Sequence, residues 1–376
     1  MQIKKNQKIV LAALFASASI QAQPSEPHAQ TAPDTGGGLE FSGYVDASYN
    51  HLSQSNAFTS GTANRVFDLK QNGLALQQIG LTLAKQPKEG FGGLVNVTVG
   101  RDADVINSYG LGLGKKNKVD LTQAFVQYAT GPWTVIGGKF VTMAGSEVIK
   151  SPANPNFSRS ILFGYAIPFA HTGVRATYAV DDALSLMAGV NNGWDDFRDT
   201  NRGKTLELGM TYVPSKTYSF GAQAYTGKER VDGLTNTGPE GTRSLIDLVG
   251  TYNVTEQLTF IVNYDYGTQK NAALAGGGNG TAKWSGIAGY ANYQLNDQWR
   301  LSARAEYFDD KDGYRTGVVQ KWKEATFTVG YLPIKALELR AEVRADSSNV
   351  ASFADKSGTG ASRTQRSYGL QAIYSF

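Results

Sequence analysis

From residue 39 to residue 376 the chain consists of short segments in which apolar and polar residues alternate with a period of two. Residues 337–345 read LELRAEVRA, so that every odd position is apolar and every even position is charged, and residues 299–307 alternate in the same way. Successive side chains of a β-strand point to opposite faces of a sheet, so each segment predicts a strand with one apolar and one polar face. Because no stretch keeps a helical period over several turns, the fold class is predicted to be all-β.

We count about sixteen such segments, an even number, as expected for a single-chain bacterial barrel. The predicted strands cover 39–50, 69–85, 91–102, 119–129, 133–142, 171–180, 183–192, 204–213, 218–227, 243–252, 257–267, 282–293, 298–308, 323–331, 337–346 and 365–376. The pair Gln77-Gln78 interrupts the alternation of the second strand. Short turns alternate with long polar loops, which predicts a transmembrane antiparallel up-and-down β-barrel with short periplasmic turns and long extracellular loops.

The apolar face of these strands is predicted to meet lipid, although a soluble barrel or sandwich with an apolar interior is the competing fold. Strand side chains cannot fill the lumen of so wide a barrel, so its inner face is expected to be polar and wet. Aromatic residues also recur beside the short turns, in phase with the apolar face, and such rings form girdles at membrane interfaces. They are Tyr128, Trp133, Tyr178, Tyr212, Tyr218, Tyr252, Tyr293, Trp299 and Tyr331.

The N-terminal residues 1–22 have the features of a secretory signal peptide. Three lysines precede the apolar run 9–20, and residues 20–22 read IQA, a usable cleavage site. The apolar run is too short to span a bilayer as a helix. Residues 23–38 are rich in Pro, Gln, Thr and Gly and are expected to be a disordered lead-in, so the barrel is expected to occupy 39–376.

Charge and cysteine content exclude several functions. Removing the three lysines of the signal peptide lowers the formal net charge from +4 to +1, which leaves no basis for nucleic-acid binding. The sequence has no Cys, so disulfides, thiolate nucleophiles and Cys-ligated metals are excluded. We expect no cofactor, no metal and no catalytic residue.

The C-terminal segment carries a feature of outer-membrane proteins. Tyr368, Leu370, Ala372, Tyr374 and Phe376 occupy every second position, and Phe376 is the last residue. Such a strand resembles the signal that the outer-membrane assembly machinery recognises. The expected location is therefore the outer membrane of a Gram-negative bacterium, with outer-membrane lipid and small hydrophilic solutes as further partners, and a homotrimer is one option for assembly.

Several motifs in the middle of the chain resemble a known family. They read GKFVT at 138–142, GSEVI at 145–149, NFSRS at 156–160, HTGVRATY at 171–178 and NGWD at 192–195. In this order they resemble the OmpL-like putative beta-barrel porin-2 family, over about Leu39 to Phe376. The resemblance implies an outer-membrane channel of the porin type and names no substrate. An aromatic residue is expected where Ser146 stands, which leaves the contacts of Glu147 open.

The third long loop, 143–170, is predicted to fold into the barrel and narrow the pore, with an external cap as the alternative. It contains Phe157, Phe163, Tyr165 and Phe169, and a loop that faces only water has little use for aromatic rings. Charges of both signs across a narrow pore create a transverse field that favours polar solutes, although the same residues could be structural pairs. The residues expected to line the pore or the constriction are Lys139, Glu147, Arg159, Arg175, Arg300, Arg304, Glu306, Arg340, Glu342 and Arg344.

Other chemistries have weaker support in the sequence. His171 could serve an outer-membrane hydrolase, but no nucleophile or acid partner is placed beside it. Residues 110–116 resemble a phosphate-binding glycine loop without the strand and helix that such loops need. Residues 309–313 resemble a calcium loop without its closing acidic ligand, and the polar stretch 191–199 is more simply a surface loop than a calcium site.

The sequence therefore predicts a porin with a water-filled channel for the passive diffusion of small hydrophilic solutes. One alternative is a substrate-specific channel with a binding site at the constriction. Two weaker alternatives are an outer-membrane enzyme and a surface receptor or adhesin built on a barrel.

Overall fold

Sixteen antiparallel strands form a closed barrel in the computed structural model, which describes residues 38–53, 65–68, 72–111, 118–201, 203–230, 239–275, 277–355 and 361–376. Each strand pairs with its neighbours in the chain, and the last strand pairs with the first. The strands are β1 (Glu40–Leu52), β2 (Gly73–Lys85), β3 (Gly90–Val99), β4 (Val119–Thr130), β5 (Trp133–Val141), β6 (Ala170–Ala179), β7 (Leu184–Asn191), β8 (Thr205–Tyr212), β9 (Tyr218–Arg230), β10 (Glu240–Asn253), β11 (Leu258–Ala273), β12 (Asn279–Gln294), β13 (Trp299–Asp310), β14 (Gln320–Ile334), β15 (Leu337–Ser348) and β16 (Thr364–Ser375).

The predicted fold is confirmed, and all sixteen predicted strands are present. The largest difference is at β11, which continues to Ala273 although its alternation weakens after residue 267. Its ladder with β12 runs through Gln269, where the register shifts before pairing resumes at Ala272. The extra residues read TQKNAA and do not alternate, so they extend the hairpin beyond the segment whose apolar face predicted it. The predicted signal peptide lies outside the described residues.

The interruption at Gln77-Gln78 is a β-bulge. Asp46 of β1 pairs with Gln78, but its neighbour Ala47 pairs with Leu76, so Gln77 is the extra residue. Both glutamines are buried, with 2% and 0% of their surface exposed. A bulge rotates the strand locally, and here it turns two consecutive polar side chains into the barrel.

The aromatic girdle lies on the outside of the barrel, as predicted. Tyr218 stacks on Tyr252 with ring centroids 5.0 Å apart, and Trp299 stacks on Tyr331 at 4.4 Å. Both pairs join the start of one strand to the end of a neighbouring strand beside a short turn. Tyr218 exposes 55% of its surface, as a side chain that faces lipid does in an isolated barrel.

The first and last strands close the barrel. Tyr44 pairs with Ser375, and the backbone of Gly43 exchanges hydrogen bonds of 2.8 and 2.9 Å with Phe376. The ring of Phe376 lies 6.4 Å from that of Phe41. The terminal aromatic residue therefore belongs to the seam, where closure leaves no strand edge open to other chains.

Helical structure in the described residues is limited to α1 (Ala103–Ile106), a 3-10 turn at Ser151–Ala153 and a π-helical turn at Leu162–Ala166. None of these is long and apolar enough to cross a membrane. A two-stranded ladder joins Phe353–Ala354 to Ala361–Ser362 in the last outer loop. These elements all belong to loops between the barrel strands.

The interior of the barrel departs from the expected polar and wet inner face. An apolar core lies inside it, made of wall side chains such as Leu245, Trp284 and Phe308 together with loop side chains such as Phe67 and Phe163. The strands alone could not fill so wide a lumen, but the outer loops supply the missing volume. The expectation of a wet inner face is therefore wrong where the loops enter the barrel.

Replacing Val343 by Arg is expected to impair barrel assembly. Val343 lies in the middle of β15 and exposes 48% of its surface on the face that meets lipid. Arginine on the lipid face costs about 2–4 kcal/mol at the bilayer midplane. Folding into vesicles, followed by the shift in gel migration between unheated and boiled samples, measures the loss. Val343→Leu is the matched control, and normal folding of Val343→Arg would reverse the assignment of inside and outside.

Candidate functional site

The loop between β5 and β6, residues 142–169, lies inside the barrel and is called the inner loop below. Ser151 Oγ donates to Asp46 of β1 at 2.5 Å, and Trp284 of β12 donates to the carbonyl oxygen of Ala166 at 3.0 Å. The loop thus reaches well-separated parts of the wall. The prediction that the third long loop folds inward is confirmed, and the alternative of an external cap is not.

Two glutamates of the wall hold the backbone of the inner loop. The amides of residues 157–158 donate to Glu342 of β15 at 2.7 and 3.0 Å. The amides of residues 161–162 donate to Glu306 of β13 at 2.7 and 3.1 Å. A buried irregular backbone must find partners for its amides, and a carboxylate that accepts two of them forms strong charge-assisted bonds. Glu306 and Glu342 are therefore anchors of the loop.

Arg304 of β13 is the centre of the charge network. Its guanidinium donates to Glu324 of β14, to Glu147 of the inner loop and to the carbonyl oxygen of Ser158, each at 2.7 Å. Only 2% of Arg304 is exposed. A single buried cation therefore joins the wall to two points of the loop.

Three more arginines continue this network along the wall. Arg344 donates to Asp346 at 2.7 Å and to the carbonyl oxygen of loop residue 159 at 2.6 Å. Arg300 donates to the carbonyl oxygen of loop residue 155 at 2.8 Å, and it shares Glu338 with Arg340. The wall arginines thus bind loop carbonyl oxygens, while the wall glutamates bind loop amides.

Two charged loop residues, Arg159 and Glu147, hold the inner loop together. Arg159 donates to the carbonyl oxygens of residues 148, 149 and 157 at 3.0–3.1 Å. Glu147 accepts a hydrogen bond of 2.7 Å from the amide of Ser160. Both side chains bridge the outgoing and returning halves of the loop, so Glu147 has contacts although Ser146 replaces the expected aromatic residue.

Lys139 and Arg175 lie on a different part of the wall. Lys139 donates to the carbonyl oxygen of Leu121 at 2.7 Å and forms an ion pair with Asp120 at 3.2 Å. Arg175 forms an ion pair with Glu207 at 2.9 Å. The predicted site residues are therefore brought together in two groups, a large one around the inner loop and a small one opposite. Their role as pore-lining residues stays a prediction.

Sequence reasoning missed some members of the network. Glu324 and Asp346 complete the ion pairs of Arg304 and Arg344. Both lie in phase with the inward residues of their strands, so alternation alone could have identified them. Asp46 and Gln78 were harder to find, because their partners are loop residues 149 and 151, and no local pattern places a loop opposite a strand.

The weaker chemical candidates have structural partners. His171 is buried, bonds the carbonyl oxygen of Gly193 at 3.1 Å and stacks on Tyr225 at 5.1 Å. Asp195 accepts from the amides of residues 169 and 170, and Asp310 accepts from the amide of Thr316. No group of three or more His, Cys, Asp or Glu side chains in the described ranges is arranged to hold a metal ion. His28 and residues 112–116 of the glycine loop lie outside those ranges.

Burial changes the acidity of loop groups beside the inner loop. It raises the pKa of Asp102 to about 7, with Arg159 opposing the shift and Asp46 adding to it. Burial also raises the pKa of Asp195, although the hydrogen bonds that its carboxylate accepts from two backbone amides lower that pKa. Desolvation penalises the charged form of a carboxyl group. The loop that carries Asp102 therefore has less negative charge near neutral pH than the sequence suggests.

Arg304→Ala is expected to lower the free energy of unfolding by about 3–5 kcal/mol, because it leaves buried carboxylates without their partner. The control is Lys204→Ala, since Lys204 forms a partly exposed ion pair with Asp199 and such pairs contribute about 0–1 kcal/mol. Urea unfolding in vesicles measures both changes. Equal effects of the two substitutions would contradict the central role of Arg304.

Comparisons with known proteins support a channel-forming fold. The sequence profile of a family described as "putative beta-barrel porin-2, OmpL-like" matches residues 38–376. No curated protein sequence matches the chain.

Solved structures with similar folds are outer-membrane barrels. An anion-selective porin from Comamonas acidovorans is 12% identical, with a TM-score of 0.62 over 90% of this chain and 99% of that one. The outer-membrane channel DcaP of Acinetobacter baumannii is 16% identical, with a TM-score of 0.60 over 90% and 97%. OmpT of Vibrio cholerae in its trimer form is 14% identical, with a TM-score of 0.59 over 90% and 99%. At these identities the likeness lies in the fold.

Proposed function

The chain belongs to the OmpL-like putative beta-barrel porin-2 family and is a porin of the Gram-negative outer membrane, and we propose that small hydrophilic solutes diffuse passively through its lumen past the inner loop. The observation that carries this proposal is the position of that loop inside a closed barrel. A loop fixed to the wall there limits the cross-section available to a solute. We also propose that residues 1–22 are removed on export and that residues 23–38 precede the barrel.

The charges around the inner loop favour polar solutes over apolar ones. Basic and acidic side chains lie side by side on the inner face of β13 to β15, and most of them are paired with each other or with the loop. Pairing leaves little net charge, so we propose weak ion selectivity. Saturation of solute flux at high concentration would instead favour the substrate-specific channel.

We propose that the chain is not an enzyme. The histidine that an outer-membrane hydrolase would need, His171, has one ring nitrogen bonded to the backbone of Gly193 and its ring stacked on Tyr225. These contacts give His171 a structural role in fixing the end of the inner loop. A hydrolytic activity lost in His171→Gln would contradict this proposal.

Deleting residues 150–160 is expected to raise the single-channel conductance in planar bilayers. The deletion removes the segment that Glu342 and Arg300 hold against the wall, so more of the cross-section becomes available to ions. Unchanged heat-dependent migration on a gel is the control that the barrel has closed. A conductance equal to that of the full chain would remove the inner loop from the pathway.

We propose a homotrimer as the assembled form, since OmpT of Vibrio cholerae has a trimer form with a similar fold. The expected native mass in detergent, corrected for bound detergent, is three times that of the mature chain. Light scattering on the unheated protein measures this mass. A single-chain mass in several mild detergents would contradict the proposal.

A further inference from the structure

We propose that this structure is the closed state of the porin and that the inner loop is a plug that moves away from the wall when the channel opens. The inference rests on the proposed channel function. It goes beyond a fixed constriction, because a constriction leaves a path for water whereas a plug must be displaced.

The first observation is an apolar core that extends across the lumen. On one side Val141 of β5 belongs to it, and on the opposite side Trp284, Phe308 and Trp322 of β12 to β14. Loop residues 161–167 lie in the same core. Water and hydrophilic solutes are excluded from tightly packed apolar side chains. The core therefore closes the part of the lumen that it occupies.

The second observation concerns the rest of the circumference. The side chains that line an open pore are in contact with water. In this structure, however, every barrel strand carries at least one side chain that does not face lipid and has no more than 2% of its surface exposed. These side chains are Asp46, Gln78, Thr98, Asp120, Phe140, His171, Asn191, Glu207, Tyr225, Asp247, Asp265, Trp284, Arg304, Trp322, Asp346 and Gln365. Most of them are polar and could line a channel once the plug is removed.

The third observation is that glycines in the wall leave room for side chains of the plug. A Cβ atom at Gly369 of β16 would lie 2.5 Å from the ring of Phe157, and one at Gly286 of β12 would lie 2.6 Å from Leu162. Two apolar loop side chains are thus placed over wall positions that lack a side chain. Any larger residue there would push the loop inward, so the closed state depends on these glycines.

The fourth observation explains why the plug can leave. Asp247 and Asp265 face each other across β10 and β11 beneath the base of the loop, and both are fully buried. Apart from its contact with Asp247, neither carboxyl oxygen of Asp265 has a hydrogen-bond partner among the described residues. Buried polar groups without partners are costly, and water would satisfy them once the loop lifts. Gly145, with a φ of +90°, provides a flexible point at the base.

A cross-link between plug and wall tests the inference. Asn156 of the loop donates to Thr328 of β14 at 2.7 Å, and the sequence has no Cys, so Asn156→Cys with Thr328→Cys gives a single cross-linkable pair. After oxidation or treatment with a short thiol cross-linker, confirmed by mass spectrometry, conductance events should disappear, and cleavage of a disulfide by reductant should restore them. The control is Thr226→Cys with Ser244→Cys, a neighbouring pair on the wall, whose cross-link should leave conductance unchanged.

A second variant keeps the test independent of cross-linking. Gly369→Val fills the space that the ring of Phe157 occupies in the closed state. Overpacking of this kind destabilises the closed state, so the open probability should rise by about tenfold or more. Gly250→Val is the matched control, because a Cβ there meets no atom within 4 Å. Normal conductance through the cross-linked chain, or no effect of Gly369→Val, would overturn the plug. If neither the reduced chain nor Gly369→Val conducts at all, the porin function fails, and the plug fails with it.

Discussion

The organisation of this barrel depends on the hydrogen bonds of an irregular chain segment that is buried inside it. Every amide and carbonyl group removed from water needs a partner, and residues 155–161 have neither a helix nor a strand to supply them. The wall supplies these partners as charged side chains. Glutamates of β13 and β15 accept from the loop amides, and arginines of the same strands donate to the loop carbonyl oxygens. The charged face of these strands is therefore complementary to a loop backbone.

Charged anchors differ from apolar ones in how they respond to movement. An apolar contact gains free energy by excluding water, whereas a carboxylate that releases two amides is immediately hydrated if water follows. The inner loop has both kinds of contact. Phe163 and Phe169 pack against Phe67 of an outer loop, while Glu306 and Glu342 hold the backbone. Such a combination fixes the loop in one position without making release prohibitive, which is what a reversible plug needs.

The sequence predicted the parts of the structure that follow from short-range pattern. Alternation identified all sixteen strands, the lipid-facing girdle and the inward phase of residues such as Arg304 and Glu342. It also located the irregularity in β2, although the bulge that turns Gln77 and Gln78 inward depends on pairing with β1. The filled lumen was not predictable in this way. It arises where Phe67, Trp194 and Phe353 from separate outer loops meet the inner loop, and no periodicity records contacts between distant loops.

The ion pairs also bear on how selectivity should be understood. In the closed state Arg304 binds Glu147, Glu324 and the backbone of Ser158. These partners neutralise its charge locally, so Arg304 creates little electric field in the lumen. When the loop moves, Arg304 keeps Glu324 but loses Glu147, and Glu342 and Glu306 lose the amides that they accept. The charges that face a passing solute are therefore those uncovered by the plug. At physiological salt, screening limits the electrostatic effect of each charge to about 8 Å. The ion selectivity of the open channel is therefore set by the charges on the plug-facing side of β13 to β15, and much less by the net charge of the chain.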